Sequence, residues 1–212
     1  MPLALTIVHG KESQSKALFG KRAAKPECVR KEETDMRTRN VVVVDYDPQW
    51  EKNFQVIRGE LQAALGEIAI AVEHVGSTAV PGLAAKPILD IDVVIDQASD
   101  LPEAVERLRR VGYIHEGNLG IPGRDAFGYV GKEHLQAHHL YVCPKDSREF
   151  YRHIQFREYL RAHPEAREAY GQIKKEAARR FPKDIDRYME YKSACILEIY
   201  QKCGLEPSLG NA

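Results

Sequence analysis

A Gly-Ser dipeptide, Gly76-Ser77, closes one apolar run, and an Asp-Ile-Asp triplet, Asp90-Ile91-Asp92, sits inside the next. Nothing else in the chain restricts its fold and chemistry as much. The two runs, Ile68 to Val75 and Ile88 to Ile95, are rich in β-branched residues and predict consecutive strands. Side chains alternate across a strand, so Asp90 and Asp92 share one face while Leu89, Ile91 and Val93 share the other. Two carboxylates about 7 Å apart along a strand repel each other unless a cation joins them. Mg²⁺, with Mn²⁺ as its substitute, is the expected cation, because it shares hard oxygen ligands between carboxylates and substrate phosphates. Gly76 allows close backbone approach to a phosphate. Ser77 and the N–H groups after it can donate to phosphate oxygens, and a helix starting there would add its dipole. The combination predicts a site for a metal-bound di- or triphosphate and in-line displacement at phosphorus. A lone Asp-x-Asp is a weak signal, since many strands end in acids that merely face water. The two motifs in order, on consecutive strands, are specific.

The flanking pattern predicts an α/β (α+β) domain. Val41-Val42-Val43-Val44 is expected to form a first strand. Asp47 as cap and Pro48 in the first turn then start a helix with Trp50, Phe54, Ile57, Leu61, Ala64 and Leu65 on its apolar face. A short turn or helix through Gly82-Leu83-Ala84-Ala85-Lys86 is expected to join the two site strands. A helix is expected over 101–111, with strands near 113–116, 126–130 and 136–142. From Ser147 to about Cys203 the pattern is helical, punctuated by Pro164 and Pro182. Residues 1–40 lack sustained periodicity and are expected to be a flexible extension, residues 41–205 the domain, and residues 206–212 a tail.

Charge decides which partners to expect. Lys plus Arg and Asp plus Glu each number 31, so the net charge is zero. A generic binder of long nucleic acid needs a cationic excess to displace counterions, so no long nucleic acid is expected as partner. The charge is uneven, at +4 over 1–40, −7 over 41–144 and +3 over 145–212. An acidic middle with basic helices after it suits metal-assisted phosphate chemistry, although Lys and Arg on solvated helix faces give the same pattern. None of Cys28, Cys143, Cys195 and Cys203 forms a Cys-x-x-Cys pair, and no run approaches a membrane span. A reduced, cytoplasmic setting without membrane attachment is the expectation. The start of the chain has no basic region before its apolar run and is not read as a signal peptide.

The run from Glu73-His74-Val75-Gly76-Ser77-Thr78 through Pro81-Gly82-Leu83-Ala84-Ala85-Lys86-Pro87 to Asp90-Ile91-Asp92 closely resembles the signature of the GrpB family. The likeness extends to Tyr46-Asp47-Pro48-x-Trp50 upstream. Downstream it takes in Phe156 to Pro164, Tyr170-x-x-x-Lys174 and Tyr188-x-x-x-Lys192. It implies a nucleotidyltransferase-like mixed β-sheet with flanking helices and a C-terminal helical segment. It also implies kinship with domains fused to some dephospho-coenzyme A kinases.

Further site residues follow from the same comparison. Such enzymes usually carry a third carboxylate on a later strand, but the strand around His138-His139-Leu140-Tyr141 has no acid. Family members show His-x-His there, and this chain has Tyr141 at the second place. His139 is read as a third metal ligand, a base or a phosphate donor, with a structural histidine as the competing reading. His74 is read as orienting the Gly-Ser turn or as packing. Lys86 and Arg124 are cations able to reach a phosphate or to remain at the surface. Tyr170 with Lys174, and Tyr188 with Lys192, each share a helix face that can hold a base and a triphosphate, or pack on the domain. The expected catalytic set is Asp90, Asp92 and His139. The expected phosphate set is Gly76, Ser77, Lys86, Arg124, Lys174 and Lys192. Two function classes result: a metal-dependent enzyme transferring a nucleotidyl group to a small-molecule or protein hydroxyl, and a non-catalytic module that binds a nucleotide or coenzyme A precursor or docks on another enzyme.

Overall fold

A computed structural model of the chain describes residues 40–205. The expected extension before residue 40 and the tail after residue 205 lie outside the described residues.

The first helix, α1 (Gln49–Leu65), buries Trp50, Phe54, Ile57, Leu61 and Leu65, the three-and-four spacing of its apolar residues turned inward. Asp47 Oδ1 accepts from the Gln49 amide at 2.8 Å, which satisfies one free donor at its start. Strands β1 (Ala69–Val75) and β2 (Leu89–Ile95) follow. Next come α2 (Leu101–Arg110), β3 (Tyr113–Gly117), β4 (Asp125–Tyr129) and β5 (His138–Pro144). The last part is helical, as α3 (Arg148–Ala162), α4 (Pro164–Arg180) and α5 (Ile185–Lys202). Pro164 opens α4, where its missing N–H costs nothing.

The five strands form one mixed sheet in the order β1-β2-β5-β4-β3. Only β2 and β5 run parallel; the other neighbours are antiparallel. One face of the sheet makes the main core. Leu89, Ile91, Val93 and Ile95 of β2 are fully buried there against α1 and α2. The opposite face carries the aspartates and turns toward the helices after β5. Two smaller clusters hold those helices. Val80 and Leu83 pack against Phe156, Leu160, Tyr170 and Ile199, and Val41 packs with Ala177, Ala178 and Tyr188.

Two local expectations need correction. Val41 to Val44 do not form a strand. Only Val44 makes a bridge, with Ala85, and the Val41 amide donates to the Pro182 carbonyl. With Val42 55% exposed, the run has no sheet edge to join, and β propensity without a partner strand does not suffice. The segment after Gly76 is a three-residue 3-10 turn, Ser77–Ala79, too short to supply a helix dipole.

Candidate functional site

The register of three strands sets the floor of the site. Parallel pairing of β2 with β5 puts His139 opposite Asp90 and Tyr141 opposite Asp92. Antiparallel pairing of β1 puts Val75 opposite Asp90 and Glu73 opposite Asp92. Residues opposite one another share a sheet face, so Asp90, Asp92, Glu73, His139 and Tyr141 all project to the same side.

Each aspartate is engaged by a histidine. His139 Nδ1 lies 2.8 Å from Asp90 Oδ1. His153 Nδ1, on α3, lies 2.7 Å from Asp92 Oδ2. Asp92 is fully buried, and its other oxygen, Oδ1, has no hydrogen-bond partner. Burial pushes the Asp92 carboxyl above its ordinary pKa, and the His153 contact offsets this only in part. Burial acts the same way on Asp90, but there the His139 hydrogen bond and the charges of His139, His153 and Lys86 prevail and hold it below the usual range. Burial disfavours the charged form of His153, yet its hydrogen bond to Asp92 raises its pKa overall.

Above Asp90 lies a cleft of about 370 Å³ into which Ser77, Lys86, Asp90, His139, Lys174 and Lys192 all face. These six expected residues come from a turn, a loop, two strands and two helices. Lys174 is 1% exposed, and its ammonium has no hydrogen-bond partner. It stands 4.5 Å from the centre of the Tyr170 ring, and Lys192 stands 5.1 Å from that of Tyr188. The two Tyr-x-x-x-Lys pairs thus pack each ammonium on its own tyrosine. Burial lowers all three lysines. Lys86 is partly held up by Asp90, Lys174 falls well below the ordinary value with Lys192 adding repulsion, and Lys192 is lowered to about 8.

The remaining expected residues are placed differently. Gly76 does not line the cleft. Its φ is +69°, and a Cβ there would stand 2.2 Å from Asp90 Oδ2, so the missing side chain makes room for the Asp90 carboxylate. Ser77 lines the cleft and also engages the Tyr170 hydroxyl. Arg124 lies over the Tyr141 ring at 4.2 Å, toward the Asp92 end, and not in the cleft. His74 is buried, stacks on Phe54 at 4.8 Å, and has Nε2 3.0 Å from Thr78 Oγ1, so it both packs and ties the turn after Gly76.

Two site neighbours escaped the sequence reading. His153 sits on a helix whose polar residues look like a solvated face. Glu73 supplies a carboxylate on the aspartate face, on the strand before the aspartates and not after them. Arg157 binds it at 2.8 Å and also donates to the His74 carbonyl. The four-residue spacing of His153, Arg157 and Arg161 was the available signal for α3. No sequence signal fixed the register that brings Glu73 beside Asp92.

The Asp90 and Asp92 carboxylates, the second with a buried unpartnered oxygen, fit a hard divalent cation. Among the described residues no group of three His, Cys, Asp or Glu side chains is arranged to hold a metal, so phosphate oxygens and water would complete its shell. No helix among the described residues is long and apolar enough to cross a membrane.

A family model described as GrpB protein matches residues 40–202. The UPF0157 protein YqkA of Bacillus subtilis is 32% identical over 74% of this chain and 46% of its own length. A dephospho-CoA kinase of Mycolicibacterium paratuberculosis is 29% identical over 76% of this chain and 46% of its own length. The chain therefore spans about half the length of these two curated relatives. The crystal structure of the conserved protein GrpB from Enterococcus faecalis aligns with a TM-score of 0.69 and 34% identity, covering 76% of this chain and 96% of that one.

Proposed function

The chain belongs to the GrpB family, and from that premise we propose that its cleft binds the phosphates of a nucleotide beside a divalent cation, for transfer of a nucleotidyl group to a small-molecule or protein hydroxyl. One observation carries the phosphate reading. The Lys174 ammonium is buried without a hydrogen-bond partner and faces a cleft shared with Lys86 and Lys192. An unpaired buried ammonium is costly, and an anionic ligand is the partner that would offset the cost. Phosphate oxygens have the charge and the acceptors to do so. Asp90 and Asp92 would hold Mg²⁺ or Mn²⁺, which when bound neutralises charge on the reacting phosphate. Ser77 would donate to a phosphate oxygen, and the ammonium groups would draw the phosphate chain toward Asp90. His139, tied to Asp90 through Nδ1, would keep Nε2 for a proton at the attacking hydroxyl.

A second reading has its own observation. Strand β5 carries no carboxylate, and both aspartates already hold a histidine. A module that binds a nucleotide, or a coenzyme A precursor as the kinase relative's name invites, without transferring anything fits those facts. Incubation with nucleoside triphosphates and Mg²⁺ or Mn²⁺, followed by mass spectrometry and paired with thermal-shift measurements, separates the two. A transferred nucleotidyl group, lost in an Asp90→Asn/Asp92→Asn variant that still folds, supports the enzyme. Stabilisation by nucleotide without product leaves the binding module. Neither stabilisation nor product would end the phosphate reading.

A further inference from the structure

We infer that the cleft recognises its ligand by the phosphate chain and not by the base, so that a linear polyphosphate is the minimal ligand. This rests on the phosphate-site reading above. Two features of the cleft support it. The first is charge. Three lysine amines, Lys86, Lys174 and Lys192, which an anion would hold in their charged form, face a lining whose one carboxylate among the described residues is Asp90. That surplus asks for a compact ligand with several negative charges, which a triphosphate supplies and a nucleoside does not.

The second feature is that the described residues lining the cleft offer no open tyrosine, phenylalanine or tryptophan face. A base is usually held by stacking on a free ring face, a contact open to every base through its π-face. Tyr170 is 2% exposed and Tyr188 1%, and each has a lysine ammonium over its ring. The rings nearest the lysines are therefore committed to holding cations. The one remaining ring face is the small imidazole of His139, 30% exposed and held through Nδ1 to Asp90. The other lining groups, Ala85 and Ile88, are small or aliphatic and offer no donor or acceptor pattern from their side chains to read a base edge.

Calorimetry on the full chain, with Mg²⁺ present, tests this with inorganic tripolyphosphate, ATP, GTP, CTP and UTP as probes. Tripolyphosphate is expected to bind within about tenfold of the tightest nucleotide, and the four nucleotides within about tenfold of one another. A single nucleotide that binds more than about tenfold tighter than tripolyphosphate would overturn the inference and leave the phosphate reading intact. If no probe binds, the phosphate reading fails and takes the inference with it. His139→Ala provides the last control, checked for folding by its melting transition. Equal weakening of ATP and tripolyphosphate supports recognition through phosphate. A loss confined to ATP would assign the imidazole to the base and refute the inference.

Discussion

Gly76 is the residue on which the two halves of the motif meet. It lies in the left-handed region, and the space of its missing Cβ is filled by the Asp90 carboxylate at 2.2 Å. The dipeptide therefore constrains the aspartate as much as it could ever admit a phosphate. Gly76→Ala forces both a strained backbone and a clash, so either φ or the Asp90 rotamer must move. The expected cost is about 2 kcal/mol in urea unfolding. Gly59, in the middle of α1 with nothing within 4 Å of an added Cβ, is the internal comparison. Gly59→Ala should raise stability by about 0.5–1 kcal/mol, because the unfolded chain loses freedom and the helix gains propensity. Equal effects of the two substitutions would show that Gly76 does not make room for Asp90.

At the scale of elements, α3 acts as a clamp across the sheet. His153, Arg157 and Arg161 recur every fourth residue and so line one face. They bind, in turn, Asp92, the Glu73 side chain with the His74 carbonyl, and the Ala79 carbonyl. Removing His153 leaves a fully buried carboxylate with no partner, and a broken buried pair costs about 3 kcal/mol or more. His153→Ala should lose that much in urea unfolding, and Asp92→Leu in the same chain should recover most of it. A single variant within about 0.5 kcal/mol of wild type would remove α3 from the account of the site. The helices and strands themselves were largely legible, because their burial follows the apolar period: Trp50 to Leu65 at three and four, Leu89 to Ile95 at two. The Asp90 and Asp92 face, and the lysines one turn from their tyrosines, were legible for the same reason. What was not legible depends on pairing over long separations. Val41 to Val44 look like a strand locally, yet the sheet has no place for them. His153 and Glu73 join the site only through the packing of α3 and the register of β1, which no local pattern encodes.

The whole molecule holds its site at a cost, and pH exposes that cost. Lys192 keeps its proton to about 10.5 in the unfolded chain, whereas burial and the charge of Lys86 lower it to about 8 in the folded one. Between those values the unfolded state binds more protons, so this group makes stability rise with pH. Lys174, lowered well below its ordinary value, and Lys86, lowered less, act in the same direction, while Asp90 opposes them. The cysteines and tyrosines whose pKa values burial raises pull the other way once the unfolded chain begins to ionise, about a unit below the ordinary values of 9 and 10. The lysine contribution therefore prevails most clearly between about pH 8 and about pH 8.5. Binding has the opposite sign. With Mg²⁺ bound, a polyphosphate has given up its last proton by about pH 8 and favours charged lysines, so binding takes up protons and affinity falls as pH rises. The expected fall is up to about tenfold per pH unit for each proton taken up. Thermal melts of the free protein, with calorimetric titrations of tripolyphosphate, should thus give slopes of opposite sign over this window. Lys192→Met should flatten both: the ammonium over the Tyr188 ring, which penalises folding and favours the ligand, is gone, and an apolar side chain of similar length takes its place. A variant that loses the ligand but keeps the wild-type slope of stability would mean that Lys192 meets phosphate from solvent, and that the buried ammonium is not what couples the fold to its ligand.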